Sequence, residues 1–343
     1  MTTLILLGVL FAVMVLSAIV WGALLQLGMR WAKVPGGTLI RSSLLYFIVA
    51  IPSFVLAGLL QYFLSDPDAA LIAAAGGFGV AFFVQTSLIA WFYRAGFADA
   101  VKAWLPTLLS AVLAYPLAAF VVRPFLFDTY MIPSNGMAPT LVGEHVVGRC
   151  PDCAAPMYGS VPNGVVGIIE RRKPVRMICT NFHSHRSPQY TAGTGSLDRI
   201  LAMKFLTPKR WDLAVFRNPE NERQTYVQRV IGLPGETVVI RDGAVFINGS
   251  KLDPPAELQG LRYVTVIPDE PDLNGAYWGT DEHPAVLGSD EYFMLGDNTI
   301  ASHDSRFWEH GIEGHPPYAV PKSHLMGTAT HIYWPFERTR TLR

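Results

Sequence analysis

The sequence predicts an N-terminal bundle of four transmembrane α-helices, followed by a mostly antiparallel all-β domain with a small cysteine-containing insertion. Half of the 343 residues are hydrophobic and only 16% are charged, whereas soluble globular proteins have about 25% charged residues. The charges are also unevenly distributed, with ten in residues 1–130 and forty-four in residues 131–343. Short β-type runs separated by turn residues fill this second part of the chain.

The membrane part is predicted from four charge-free runs, which cover residues 1–29, 42–65, 69–93 and 103–122. Each run has at least 20 residues, enough for a helix to cross about 30 Å of hydrocarbon. The sequence therefore predicts a membrane domain over residues 1–127, with transmembrane helices near 4–28, 43–64, 70–92 and 104–125.

The orientation follows from the loops between these runs. The first loop carries Arg30, Lys33 and Arg41, and basic loops stay on the cytoplasmic side. We therefore expect a multi-pass protein of the plasma (inner) membrane, with the lipid bilayer as a partner and the domain 128–343 on the extracytoplasmic side. The net charge is zero, which favours no nucleic-acid partner.

The β domain is predicted from its turns. Asp-Gly at 242–243 and Asn-Gly at 248–249 lie between apolar runs, and both dipeptides are strong hairpin signals. The predicted strands are at 214–216, 237–240, 244–247, 292–295 and 331–334.

An insertion at residues 148–195 has a polar composition and carries all three cysteines. Cys150 and Cys153 form a Cys-x-x-Cys knuckle, and Cys179 is followed by His183 and His185. Zinc favours four tetrahedral nitrogen or sulfur ligands at such spacings. This pattern predicts a structural zinc in a zinc-ribbon-like module, held by Cys150, Cys153, Cys179 and His183, with His185 as the alternative fourth ligand. A Cys150–Cys153 disulfide is the rival prediction, because we expect an oxidising compartment, and a degenerate site that binds nothing is the third.

The motif with the most chemical content is Ile-Pro-Ser-Asn-Gly-Met at 132–137. It has the frame of a serine-protease nucleophile loop, but glycine stands where the nucleophile is expected. Four segments in this order resemble bacterial signal peptidase I, the membrane-bound serine endopeptidase that removes signal peptides from exported proteins. They lie within residues 123–141, 198–212, 226–236 and 296–308. The resemblance implies an all-β domain outside the membrane, held by N-terminal helices.

The family uses a serine–lysine dyad, in which a neutral lysine takes the proton of the attacking serine. The resemblance places the nucleophile at Gly136 and the base at Gln228. A glycine has no side chain that can attack, and a glutamine amide is not a base near neutral pH. We therefore expect both catalytic positions to be vacant.

Other parts of the site persist in the sequence. The resemblance assigns Ser134 to the oxyanion hole, Ser302 to the serine that hydrogen-bonds the lysine, and Asp304 and Arg306 to a pair that orders the site. It implies no cofactor for catalysis.

Three functional hypotheses follow. The first is a signal peptidase I-like membrane protein without peptidase activity, which binds signal peptides or assists the export machinery. The second is an active signal peptidase I with a relocated nucleophile or base, such as Ser134 or Lys204. The third is a zinc-binding scaffold module centred on the insertion.

Overall fold

The computed structural model describes residues 2–48, 79, 82–110, 112, 118–160, 174–187, 189–190, 195–266 and 275–342. The chain divides into two compact units, Met1–Val122 and Arg123–Arg343. The sequence analysis predicted that the corresponding domain boundary lies at residue 127.

The first unit is helical and apolar. Its described helices are α1 (Thr2–Trp31), α2 (Leu39–Ile48), α3 (Phe82–Tyr93) and α4 (Phe97–Trp104), and α4 continues into a 3₁₀ turn at Leu105–Thr107. Residues from all four helices form one buried cluster, in which Leu25 of α1, Leu45 of α2, Ile89 of α3 and Ala100 of α4 are fully or almost fully buried. A Cβ atom on Gly28 would overlap the carbonyl of Ala103, so α1 and α4 pack closely because this residue has no side chain.

The predicted four-helix transmembrane bundle is wrong for the described residues. Among them, only Phe11–Trp31 of α1 is both long and apolar enough to cross a membrane, and the described parts of the apolar helices α2 and α3 are shorter than a membrane span. Most of the span predicted at 43–64, and the first part of the one at 70–92, lie outside the described residues.

The span predicted at 104–125 is not one α-helix. The α-helix α4 ends where that span was expected to begin, a 3₁₀ turn follows at Pro106, and residues Ala118–Leu126 form a π-helix that contains Pro124. Proline removes a backbone donor and clashes with the preceding turn. A charge-free run shows that a segment is apolar. The length of each helix within that segment depends on the positions of prolines and on packing.

The second unit consists of β-strands joined by long loops. The strands are β1 (Phe127–Met131), β2 (His145–Arg149), β3 (Pro156–Ser160), β4 (Val175–Cys179), β5 (Ser184–Ser187), β6 (Arg199–Met203), β7 (Leu213–Asn218), β8 (Asn221–Gly232), β9 (Thr237–Arg241), β10 (Ala244–Ile247), β11 (Ser250–Lys251), β12 (Ala285–Val286), β13 (Glu291–Leu295), β14 (Val320–Pro321), β15 (Leu325–Trp334) and β16 (Arg340–Thr341).

These strands form three antiparallel sheets. The largest has the order β1-β6-β15-β7-β8-β13-β14, with β16 paired to β15. The second has the order β11-β10-β9-β12. The third has the order β2-β3-β4-β5; β3, β4 and β5 lie within the cysteine insertion, and β2 begins just before it. The β part of the predicted fold agrees with these sheets.

The predicted hairpin turns are confirmed. Asp242 and Gly243 join β9 to β10 with φ values of 51° and 78°, and Asn248 and Gly249 join β10 to β11 with φ values of 50° and 81°. Two consecutive positive φ angles give the turn a twist that matches its strands. The Asp-Gly and Asn-Gly dipeptides therefore form these hairpins because both residues of each dipeptide adopt positive φ angles.

The hydrophobic core of the large sheet positions the candidate site. One cluster joins β6, β7 and β15 to the loop after β1 through Leu141, Ile200 and Val215, all fully buried. A second cluster holds β8 and β13 together and includes Val230, Met294 and the fully buried Trp308. The loops after β1 and β13 and the centre of β8 are thereby brought to one region.

Candidate functional site

The loop after β1 carries Gly136 and is fixed to the loop after β13. The backbone N–H of Asn298 donates to the carbonyl of Gly136 at 3.1 Å, and its side-chain amide donates to the carbonyl of Asn135 at 3.0 Å. Gly136 does not adopt a positive φ angle. Its backbone conformation is therefore open to any L-amino acid, and glycine is not required there for conformational reasons.

Gln228 lies in the middle of β8, opposite Ala214 of β7, and only 4% of it is exposed. Its side-chain Nε2 donates to the carbonyl of His303 at 2.9 Å and lies 3.5 Å from Oγ of Ser302. Its Oε1 is buried and has no hydrogen-bond partner among the described residues. A buried acceptor without a donor costs about 1–3 kcal/mol.

Ser302 is the point where the two positions meet. Its Oγ lies 3.6 Å from the place where a Cβ of residue 136 would be, and it also contacts the Gln228 amide. Positions 136, 228 and 302 are distant in sequence. The structure brings them together, because the side chain of Ser302 lies close to both of the other positions. At this point residue 136 contributes no side chain, residue 228 contributes a neutral carboxamide, and Ser302 contributes a hydroxyl.

Two buried ion pairs surround this centre. Asp304 pairs with Arg306 and also accepts a hydrogen bond from the N–H of Gly296 at 2.9 Å. Arg229, which follows Gln228 on β8, binds Asp297 through two hydrogen bonds of 2.7 and 2.6 Å. All four charged side chains are fully buried, so each needs its partner to avoid a large desolvation cost.

The electrostatics of this region reflect that burial. Burial alone lowers the pKa of Arg229, but the opposite charge and hydrogen bonds of Asp297 outweigh it and raise the pKa overall. Tyr263 is completely buried nearby, and burial raises its pKa well above the ordinary value, with the negative charge of Asp297 adding to the effect. Arg229 therefore stays charged and Tyr263 stays neutral near neutral pH.

The sequence analysis named Ser134 and Lys204 as substitutes for the nucleophile and the base. The side chain of Ser134 is exposed, and Nζ of Lys204 lies 3.5 Å from the carboxylate of Asp128.

His303 is half exposed and bonds Glu220 at 2.6 Å, while its neighbour Asp304 is buried against Arg306. The consecutive Ser302, His303 and Asp304 side chains therefore form no relay.

The insertion brings its cysteines together. Sγ of Cys153 lies 3.8 Å from Sγ of Cys179, and Sγ of Cys150 lies 3.6 Å from Nδ1 of His183. No disulfide joins any of the three cysteines. A hydrogen bond from the backbone of Ala155 lowers the pKa of the Cys153 thiol to about 6. Burial raises the pKa of Cys179 to about 11.

Comparison with known proteins decides the family. The family model described as signal peptidase, peptidase S26, matches residues 101–334, which is more than half of the chain. The chain belongs to the signal peptidase family.

Individual relatives of this family are more distant. Signal peptidase I of Leptolyngbya laminosa is 34% identical over 152 residues, which cover 41% of this chain and 62% of that protein. Signal peptidase I T of Bacillus subtilis (strain 168) is 31% identical over 132 residues, which cover 38% of this chain and 60% of that protein. The chain thus spans about three fifths of the length of these relatives. A crystal structure of a signal peptidase I from Enterococcus faecalis V583 has 28% identity, covers 36% of this chain and 97% of that one, and has a TM-score of 0.26.

Members of the signal peptidase family need no cofactor for catalysis. The sequence analysis named Ser302, Asp304 and Arg306 but did not predict the ion pair of Arg229 with Asp297 or the hydrogen bond from the Thr140 hydroxyl to Asp297. The available signal was weak: an aspartate in Gly-Asp-Asn directly after an apolar strand. A charged residue there is buried, and a buried carboxylate needs a cation.

Proposed function

We propose that this chain is a membrane-anchored member of the signal peptidase family that has lost serine–lysine peptidase chemistry and binds signal peptides as extended segments. The supporting observation is the convergence of Gly136 and Gln228 on Ser302. The surrounding frame is intact, while both reacting groups are replaced. Removing either member of a catalytic unit abolishes most of its rate enhancement.

The chemistry of the replacements supports this proposal. Peptide-bond attack requires an oxygen or sulfur nucleophile and a proton acceptor within hydrogen-bond reach. Among the described residues, no lysine or histidine side chain hydrogen-bonds Ser302, whose side-chain partner is the Gln228 amide. A hydroxyl bonded to a neutral carboxamide is not activated for attack.

Binding is supported by the unpaired acceptor on Gln228. Its Oε1 is buried without a donor among the described residues, so a peptide N–H would satisfy it only if the peptide reached into the site between Gln228 and Ser302. The free energy that this acceptor costs in the free protein would then be recovered in the complex. A site that lacks a nucleophile but has an unsatisfied buried acceptor is better suited to binding a peptide than to cleaving it.

The edge of the large sheet supplies a surface for an extended peptide. β1 is an edge strand that pairs with β6 alone within the described sheet, and it leads directly into the loop that carries Gly136. Met131 at its end is 58% exposed. Strand addition to such an edge provides backbone hydrogen bonds, and neighbouring apolar side chains provide selectivity. Signal peptides have the apolar segments that suit this edge.

Membrane anchoring is supported by α1. Its residues Phe11–Trp31 are apolar over 21 positions, and an anchored protein would meet signal peptides at the bilayer surface. We propose the plasma membrane as the location and the extracytoplasmic side as the position of the β unit. Protease added to intact spheroplasts should degrade the β unit. If the β unit is degraded only after the membrane is permeabilised, this orientation is wrong.

A cleavage assay tests the loss of activity. The purified full-length protein should not cleave a signal-peptide substrate, and the double variant Gly136→Ser with Gln228→Lys should restore cleavage. We expect at least about a 100-fold rise in rate, the lower end of what a positioned base contributes. Each single variant is the control and should stay inactive. Wild-type cleavage at the rate of the double variant, abolished by Ser134→Ala, would favour the active-enzyme hypothesis instead.

A binding assay tests the peptide site separately. A fluorescent signal peptide should bind the wild-type protein, and Met131→Asp should weaken binding by at least about tenfold, equivalent to about 1.4 kcal/mol. Val286→Asp is the matched control, because Val286 is 56% exposed but lies on β12 of another sheet. If both variants lost the same amount of affinity for the peptide, β1 would be ruled out as the edge to which the peptide binds.

A scaffold function for the insertion is the second candidate, favoured by the cluster of Cys150, Cys153, Cys179 and His183. It makes a different prediction from the peptide-binding function. Partner proteins captured by the wild-type chain would be lost in Cys150→Ser but retained in Met131→Asp. The reverse pattern would favour the β1 edge.

A further inference from the structure

We propose that Cys150, Cys153, Cys179 and His183 bind one structural zinc ion and that His183, not His185, is the fourth ligand. The ligand atoms of these four residues all lie within 4.8 Å of one another. The proposal does not depend on whether the peptidase site is active, because the insertion has its own sheet.

The distances fit a tetrahedral ion. Zinc–sulfur bonds of about 2.3 Å in a tetrahedron give a sulfur–sulfur separation of about 3.8 Å. The Cys153 and Cys179 sulfurs are 3.8 Å apart, and the Cys150 sulfur is 3.6 Å from Nδ1 of His183. A disulfide would require a sulfur–sulfur distance near 2 Å, so the arrangement matches shared coordination of an ion and not a covalent bond.

The backbone turns beside the cluster in two places, with a four-residue hydrogen-bond span in the first turn and a three-residue span in the second. In the first, the N–H of Ala154 donates to the carbonyl of Cys150, and Ala154 has a φ of 57°. In the second, the N–H of Phe182 donates to the carbonyl of Cys179, and Phe182 has a φ of 65°. Non-glycine residues with positive φ are uncommon and costly. Their occurrence in both turns indicates that the ligand positions are specified by the fold.

The buried core beside the insertion supports a structural role for the metal. Among the described residues, this buried cluster consists of Val146, Cys150, Met157, Val175, Met177 and Cys179. Two of them, Cys150 and Cys179, are proposed ligands, so the ligands are part of the core. Small modules generally need a metal or disulfides for their stability.

The choice of His183 follows from the neighbours of the two histidines. Nε2 of His185 bonds the carboxylate of Asp152 at 2.7 Å, whereas Nδ1 of His183 lies 3.7 Å from the same carboxylate and 3.6 Å from the Cys150 sulfur. An alternative group of Cys150, Asp152 and His185 also lies within 4.8 Å, but it supplies three ligands and omits two cysteines. The set with His183 supplies three sulfurs and one imidazole nitrogen, which is a standard closed set for structural zinc. Asp152 and His185 are then an outer pair beside the site.

Metal analysis of the full-length protein in detergent tests the proposal. We expect one zinc per chain in the wild-type protein, released by a mercurial reagent that titrates all three thiols. His183→Ala should lose at least about half of the zinc, while the matched control His185→Ala should retain one per chain. Replacing zinc with Co²⁺ should give the intense visible bands of a tetrahedral thiolate site.

Three outcomes would overturn the proposal. Wild-type protein without zinc whose three thiols are free would mean that the cluster binds no metal. A Cys150–Cys153 disulfide found by mass spectrometry would replace the metal with a covalent link. Loss of zinc in His185→Ala but not in His183→Ala would reverse the ligand assignment. The mercurial release uses wild-type protein, so a variant that fails to fold does not block the test.

Discussion

A Cβ atom built on Gly136 lies 3.6 Å from Oγ of Ser302, an ordinary van der Waals distance. The space for a side chain at position 136 is therefore present, and the backbone there has no positive φ that would demand glycine. Packing gives no reason for the glycine. The neighbouring Gly296 differs, since a Cβ atom on that residue would overlap the side chain of Ser302.

This contrast predicts different effects on stability for two alanine substitutions. Gly136→Ala should leave the free energy of unfolding within about 0.5 kcal/mol of wild type. Gly296→Ala should destabilise the β unit by about 1–3 kcal/mol, because it overpacks the site. Chemical denaturation in detergent, followed by tryptophan fluorescence, measures both. Equal destabilisation would mean that position 136 has a structural requirement for glycine.

The second prediction concerns charge at position 228. Gln228→Lys places an amine in a site that is only 4% exposed in the wild type, and burial lowers a lysine pKa below about 10.4. Between the lowered folded pKa and about 10.4, the unfolded state binds more protons. Stability relative to wild type should therefore rise with pH over this window, by at most about 1.4 kcal/mol per pH unit.

Unfolding experiments at pH 6 and pH 9 measure this effect. Gln228→Met is the matched control, since it removes the amide without adding a titrating group. Its difference from wild type should be the same at both pH values. A pH-independent difference for Gln228→Lys would show that the amine reaches solvent and could not serve as a neutral base.

The third prediction concerns the buried pair of Arg229 and Asp297. Asp297→Asn leaves the fully buried Arg229 charge without its counterion and should destabilise the β unit by about 3–5 kcal/mol. Arg241 and Asp281 form a pair whose side chains are both more than half exposed, so Asp281→Asn should not shift the denaturation midpoint measurably. Similar shifts for both variants would mean that the buried pair has no special structural role.

The fourth prediction concerns acid stability. Burial lowers the pKa of His145, His324 and His331 below the ordinary 6.5. As pH falls below about 6.5, the unfolded state takes up protons before the folded state does, so stability should decrease. This contribution is complete above about pH 6.5 and is lost progressively down to and through the folded pKa values.

His145→Gln tests one part of this effect. Nδ1 of His145 lies 2.7 Å from the carbonyl of Gly143, and glutamine can retain a donor there without titrating. The variant should lose less stability than wild type between pH 7 and pH 5, whatever its stability at pH 8. An unchanged slope would assign the acid sensitivity to other groups.

The sequence predicted local features better than features that depend on distant contacts. The hairpin turns at Asp242 and Asn248 were correct because each is decided by two adjacent residues. The pair of Arg229 and Asp297 joins residues 68 positions apart, and no local pattern identifies it. The sequence also could not show that His185 bonds Asp152, which is 33 positions away, because His183 and His185 have nearly the same spacing from Cys179.

The membrane prediction failed for a related reason. Hydropathy identified apolar segments, and α1 agrees with the first of them. Hydropathy does not report where a helix ends, and Pro106 lies in a 3₁₀ turn inside the region expected to be continuous. Helix length depends on backbone hydrogen bonding along the whole segment, which a count of charges does not contain.

The side chain of Asn135 has a consequence for how the β unit responds to its surroundings. Its amide donates to the carbonyl of Glu144 at 2.7 Å and to the hydroxyl of Ser160 at 3.3 Å, and its oxygen accepts from the N–H of Gly143 at 2.9 Å. Ser160 ends β3 of the insertion, and Asn135 immediately precedes Gly136. A displacement of β3 therefore breaks or strains a bond to the residue beside Gly136, so the carboxamide of Asn135 links the insertion mechanically to the loop after β1.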